Sequence, residues 1–138
     1  MTEILLDTNV LIYALDRDSI YYMWARRFFD DSSRKCVITS KNVAEFLCVM
    51  TRGENPALSV EEAIATIKVF ASNCRILYPD YASANLLLEL IARDQVRGLK
   101  VHDYEIASIA LSNDVNLIAT VNKNDFKIIP GLELVTPA

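Results

Sequence analysis

Ile4-Leu5-Leu6-Asp7-Thr8-Asn9-Val10-Leu11 is the stretch whose reading decides the fold. Apolar residues in succession, without alternation, form a strand covered on both faces, the kind found in parallel sheets. The period then changes at once. From Thr8 to Leu15 the apolar Val10, Leu11, Ala14 and Leu15 share one face at helical spacing, so a helix follows the strand with Asp7 at the junction. An acid at such a junction serves as a turn residue or helix cap as readily as a catalytic group.

Working outward, the same alternation repeats. An amphipathic helix fits Tyr21 to Phe29, a strand Cys36 to Ile38, and a helix Lys41 to Arg52 with Thr39-Ser40 before it as N-cap. In that helix Val43, Phe46, Leu47 and Met50 form a core stripe. Gly53 to Pro56 breaks the chain, and Ser59 with Glu62 makes a capping box for a helix reaching about Ser72. Arg75 to Leu77 is a strand, Tyr81 to Gln95 a helix ended near Gly98, and Val101 to Asn113 a further helix. Leu117 to Thr120 and Leu132 to Val135 close the series as strands. Strands alternating with helices predict a three-layer α/β/α sandwich around a central, mainly parallel sheet. With no internal repeat or linker, residues 1–138 read as a single domain. In such folds ligands gather at the carboxyl ends of the strands, where strand order reverses. Asp7 and the segment Thr120 to Asp125 both fall on that rim.

A chain of 138 residues with 52% hydrophobic content and only three Gly and four Pro is a packed globule, not a disordered chain. No apolar run approaches the roughly 18 residues that span a bilayer, and no basic stretch precedes the first strand, so neither a membrane nor export is expected. Cys36, Cys48 and Cys74 give an odd count without C-x-x-C spacing, and the chain has one His. That argues against a disulfide framework or structural zinc, makes the cysteines small core fillers, and points to a reducing cytoplasm. The net charge of −4 runs against nucleic-acid binding unless the acids are gathered where bound cations reverse the local field.

The acids decide between those readings. At Asp7 two other chemistries can be tested: a haloacid-type phosphatase needs a second Asp two residues on, where this chain has Asn9, and a receiver's acidic pair is missing too. Asp103, at roughly 100° per residue, lines up with Ile106, Ala107 and Ala110, while Glu105 faces the other way beside Ser108 and Ser112. A carboxylate heading an apolar face must cap the helix, be paired, or bind metal. Glu45 lies away from the core stripe, and its plain reading is an exposed i,i+4 partner of Lys41. Thr120-Val121-Asn122-Lys123-Asn124-Asp125-Phe126 reads first as a polar, turn-prone loop after a strand. Acid-bearing segments at element ends, with no His or Cys constellation, suit oxygen ligation of Mg²⁺ or Mn²⁺, singly or as a pair.

The order Leu6-Asp7-Thr8-Asn9, then Asn42-Val43-Ala44-Glu45-Phe46 with Thr51-Arg52, then Val101-His102-Asp103, then Thr120-Val121-Asn122 with Asp125-Phe126, resembles the PIN-domain family across essentially the whole chain. The closing Ile129-Pro130-Gly131-Leu132-Glu133-Leu134 and Thr136-Pro137 resemble the tail of bacterial VapC-type toxins. The resemblance implies a metal-dependent endoribonuclease acting on single-stranded RNA by in-line attack of an activated water. It places Asp7, Glu45 and Asp103 on the family's acidic metal-binding positions. Many members read Thr-x-Asp in the fourth motif. Here that slot is Asn122, and Asp125 becomes the fourth carboxylate. Asn9 and Thr120 match the polar supports of the acidic cluster. His102 matches a common position without an assigned role, and Tyr104, where many relatives have a small residue, either stacks on a base or packs. A homodimer and a VapB-type antitoxin partner are also implied.

Arg26, Arg27, Arg97, Lys100 and Lys123 are the candidate phosphate contacts, most of them readable as ordinary surface charges. Two other functions stay open: a PIN-like RNA-binding or regulatory module that has lost turnover through Asn122, and a metal-dependent phosphatase, which the acidic net charge favours.

Overall fold

The computed structural model describes residues 2–137. Its elements follow in the order β1 (Thr2–Leu6), α1 (Thr8–Tyr13), α2 (Tyr22–Asp30), β2 (Arg34–Thr39), α3 (Ser40–Thr51), α4 (Val60–Asn73), β3 (Arg75–Leu77), α5 (Tyr81–Asp94), α6 (Lys100–Ser112), β4 (Leu117–Ala119), a 3₁₀ turn (Lys123–Asp125) and β5 (Glu133–Val135). The five strands form one sheet in the order β3-β2-β1-β4-β5. Every pairing is parallel, so the sheet is wholly rather than mainly parallel.

Alternation along the strands builds the layers. Ile4 and Leu6 of β1, with Cys36 and Ile38 of β2, enter a core shared with Val10, Leu11, Phe28, Phe46 and Phe70 on the α1–α4 side. Leu5, Val37 and Ile118 face the opposite core, with Leu90, Tyr104, Ile106 and Phe126 on the α5–α6 side. The strand reading of residues 4–6 holds because all three side chains are fully buried, two toward one layer and one toward the other.

Capping sets several helix starts. Thr39 and Asn42 form a capping box at α3, and Ser59 and Glu62 form the expected one at α4. Some boundaries differ from the sequence reading. α1 stops at Tyr13, which leaves Leu15 39% exposed instead of on the core face. α5 ends at Asp94 because Gln95 turns the chain in the left-handed conformation, ahead of Gly98. In α3 the buried face runs through Asn42, Phe46 and Met50, with Val43 and Leu47 only partly covered.

The cysteines correct a second expectation. Cys36 and Cys74 are joined in a disulfide between β2 and the residue before β3, and Cys48 is exposed on α3 rather than filling the core. The odd count and the absence of paired spacing say nothing about residues that the sheet brings together across 38 positions. Among the described residues no helix is long and apolar enough to cross a membrane.

Candidate metal and phosphodiester site

Strand order reverses between β1 and β4, and that is where the acids collect. Asp7 leaves the end of β1, its amide donating to the Ala119 carbonyl at 3.0 Å, and Thr120 leaves the end of β4. A cleft of about 220 Å³ opens over this point and is lined by Asp7, Glu45, Asp103, Asn122 and Asp125, among others. All four carboxylates singled out in the sequence therefore face one hollow, although they lie on four separate segments.

Asp7 is the most firmly held. It is 6% exposed, and its carboxylate accepts from the Thr8 amide (2.9 Å), Asn9 Nδ2 (3.2 Å) and Thr120 Oγ1 (2.8 Å). The supports are themselves tied: the Asn122 amide donates to Thr120 Oγ1, and the Val121 amide donates to Asn9 Oδ1. Burial raises the Asp7 carboxyl to about 6 against the opposing pull of the Thr120 and Thr8 hydrogen bonds, and repulsion from Glu45 and Asp125 adds to the rise.

Glu45 is fixed from the other side. Thr8 Oγ1 donates to Glu45 Oε2 at 3.0 Å while accepting from Asn42 Nδ2 at 3.1 Å. The direction of this relay follows from the Thr39 amide, which donates to Asn42 Oδ1 and so turns the Asn42 NH₂ toward Thr8. With its lone pair engaged by Asn42, the single Thr8 hydroxyl proton points at Glu45. Glu45 is thus not the helix partner of Lys41, which pairs with Glu105 at 3.6 Å.

Asp103 stands in the first turn of α6 and does not cap it, since the N-cap Leu99 has no side-chain cap and no hydrogen bond to the Asp103 carboxylate is present among the described residues. Partial burial comes first, and then repulsion from Asp125, Asp7 and Glu45, in raising its carboxyl to about 7; Lys100 opposes the rise. Asp125 belongs to the 3₁₀ turn after β4. Among the described residues no Lys or Arg forms an ion pair with any of the four.

That donor set, all oxygen and repelling, fits a hard divalent cation by chemistry. It is not drawn in around a point. Among the described residues no three His, Cys, Asp or Glu side chains are gathered closely enough to hold an ion as they lie. Asp103 and Asp125, whose carboxylates accept no hydrogen bond among the described residues, are the two free to swing inward.

The remaining predicted residues divide. Asn9 and Thr120 support Asp7 as expected, and Asn122 lines the cleft while exposed to solvent. Lys100 Nζ donates to the Asn124 carbonyl at 3.3 Å, and Lys123 lines a neighbouring hollow that shares Asn122 and Asp125 with the cleft. Arg26 and Arg27 stand on α2, away from the cleft lining, with Arg26 near Asp30 and over the Phe29 ring. Arg97 is exposed in the turn between α5 and α6 and does not line the cleft. Tyr104 packs. It is fully buried, donates to Asp94 Oδ2 at 2.7 Å, and stacks on nothing outside the core. Ser108 likewise belongs to the interior, its hydroxyl donating to the Tyr104 carbonyl, and not to a polar face with Glu105. Thr8 and Asn42 are the supporting residues that the sequence reading missed. Their only signal was adjacency to Asp7 and to the Glu45 segment.

The PIN domain family model matches residues 4–132. No curated protein matches the sequence. Among solved structures, the chain is similar to VapBC2 of Rickettsia felis bound to a promoter DNA fragment, with TM-score 0.74 and 22% identity over 99% of this chain and 100% of that one. It is similar to DNA-bound VapBC of Salmonella typhimurium, with TM-score 0.73 and 25% identity over 99% and 98%. A third similar structure is VapC20 of Mycobacterium tuberculosis, a sarcin-ricin loop cleaving toxin, with TM-score 0.66 and 12% identity over 83% and 86%.

Proposed function

The chain belongs to the PIN-domain family, and from that premise we propose that it is a Mg²⁺- or Mn²⁺-dependent endoribonuclease, the toxin of a type II toxin–antitoxin pair. The observation that carries this reading is the convergence of Asp7, Glu45, Asp103 and Asp125 on one cleft at the reversal of strand order. The similarity to VapBC complexes supports the toxin assignment and a VapB-type antitoxin as partner.

A divalent cation, when bound, supplies charge neutralisation for the phosphate and a water of lowered pKa. Asp7, Glu45, Asp103 and Asp125 would hold it, and each carries a different part of the preorganisation. Three donors lock Asp7, so its oxygens keep one orientation while the strand enters. The Thr8 relay keeps Glu45 an acceptor. Asp103 or Asp125 would receive the proton of an attacking water as the new P–O bond forms, and the departing oxygen would take a proton from solvent as the opposite P–O bond breaks. Lys100, whose ammonium lies at the Asn124 carbonyl, and Lys123 beside it would meet a phosphate next to the acids. Four carboxylates would otherwise repel an RNA strand, so the reading requires cleavage to depend on the cation. The enzyme would act on RNA in the cytoplasm as a homodimer, its antitoxin lying over the cleft.

The test is RNA cleavage with Mg²⁺ or Mn²⁺ by the wild type and by Asp7→Asn. Loss of cleavage in the variant supports the reading, and equal cleavage by both attributes the activity to a contaminant. Production without the antitoxin should arrest growth. One observation favours a second reading, an RNA-binding module without turnover: Asn122 stands, exposed, where the family often has an acid. That reading predicts RNA binding without Mn²⁺ binding.

A further inference from the structure

Beside the acid cleft lies a second hollow, of about 490 Å³, between α3 and α6. Lys41, Ala44, Cys48, Leu99 and His102 line it, and it shares Glu45 and Asp103 with the cleft. Leu99 is 84% exposed, and His102 is exposed at the start of α6. The other hollow that adjoins the cleft is lined differently, mainly by Asn122, Lys123, Asn124 and Asp125. The two hollows thus differ in kind: each has one lysine at its wall, but the first is mainly apolar with one imidazole ring and its Lys41 is paired with Glu105, whereas the second is amide-rich.

We infer that the hollow between α3 and α6 receives an unpaired nucleobase of the RNA strand, stacked on the His102 imidazole and backed by Leu99, while the adjoining acids take the neighbouring phosphate. This rests on the ribonuclease reading above. A nucleobase fits because it is planar, apolar on its faces and bonded through its sugar to the phosphate, so base and phosphate must occupy adjoining sites. The hollow and the cleft adjoin through Glu45 and Asp103. An imidazole is one of the rings on which unpaired bases stack, and a leucine supplies apolar contact without selecting a sequence. The other hollow offers no aromatic ring, and its amides with the exposed Lys123 suit sugar and phosphate. Tyr104, the aromatic residue that the sequence offered for stacking, is inside the core, so the role passes to its neighbour on the exposed side.

The experiment uses short single-stranded oligoribonucleotides carrying 2-aminopurine or an abasic nucleotide at successive positions. Binding to the full chain with Asp7→Asn should quench 2-aminopurine at one position, and adding His102→Ala should abolish that quenching. On the intact strand His102→Ala should weaken binding about tenfold, whereas on the strand abasic at that position it should cost nothing further. Leu99→Ala should act in the same way, and Lys123→Ala should weaken intact and abasic strands alike. Equal losses on intact and abasic strands for His102→Ala, or no His102-dependent quenching at any position, would overturn the base site. So would a shift in the monomer–dimer equilibrium by His102→Ala and Leu99→Ala without any change in strand binding, which would make the hollow a protein contact. Quenching that depends on His102 in the Asp7→Asn chain, together with no RNA cleavage by the wild type in Mg²⁺ or Mn²⁺, would support the base site and remove the ribonuclease reading.

Discussion

Thr120 Oγ1 donates to Asp7 Oδ2 at 2.8 Å across 113 residues of chain, joining the ends of β4 and β1 at the reversal of strand order. This bond both orients Asp7 and holds its carboxyl down against the rise that burial causes. Thr120→Val should therefore lower the activity by about 10- to 100-fold, the usual effect of losing a supporting hydrogen bond. It should also raise the Asp7 carboxyl further, because the lost donor favoured the charged form. The acid limb of the rate–pH profile should move to higher pH. A fall in rate with no movement of that limb would mean that Thr120 acts only through packing.

Thr8 supports Glu45 and satisfies Asn42 at once. Thr8→Val leaves the buried Asn42 amide without its acceptor and should cost about 1–3 kcal/mol in urea unfolding, whereas Thr8→Ser should stay near wild type. Equal stability of the valine and serine variants would remove the relay.

The raised carboxyls of Asp7 (about 6) and Asp103 (about 7) make the metal-free protein pH-sensitive in a stated direction. Between the ordinary carboxylate range and pH 7 the folded state binds more protons than the unfolded chain, so these groups contribute stability at low pH that is lost as pH rises through 6 and 7. Metal-free stability should fall across that window. Asp103→Asn removes the like charge without breaking a hydrogen bond and should raise the stability at pH 8 by about 1 kcal/mol, discounted for the partial exposure of the group. Unchanged or lower stability would show that the four acids do not repel as described.

The Cys36–Cys74 disulfide spans 38 positions. Closing a loop of that length stabilises the fold by about 4 kcal/mol in chain-entropy terms. Reductant should lower the unfolding midpoint of the wild type and leave Cys36→Ala unaffected, with mass spectrometry under non-reducing conditions checking the bond itself. Identical midpoints with and without reductant would deny the cross-link a role.

What was legible in the sequence was mostly local. The change from an apolar run to helical spacing at Asp7 is a property of adjacent residues, and it yielded the strand, the helix and the place of the acid on the rim. Asp103 was legible because a carboxylate on an apolar helix face is costly, whatever the rest of the chain does. The same reasoning failed one turn later: Ser108 was assigned to a polar face, yet its hydroxyl is satisfied by the Tyr104 carbonyl and it is buried. A serine that returns its proton to its own helix leaves no periodic trace. Helix spacing alone also permits Glu45 to pair with Lys41, and that plain reading does not hold because the Glu105 carboxylate that takes Lys41 comes from a different helix. The Thr8–Asn42 contact and the Cys36–Cys74 bond join residues 34 and 38 positions apart, and nothing local in the chain announces which distant segments the sheet will bring together.

The central claim is that Asp7, Glu45, Asp103 and Asp125 bind one kind of hard cation in concert. Titration of Mn²⁺ into the protein, followed by electron paramagnetic resonance, tests it most directly. Saturable binding by the wild type is expected, weakened at least tenfold in each of Asp7→Asn and Asp103→Asn, in folded protein. Binding that persists undiminished in both variants would contradict it.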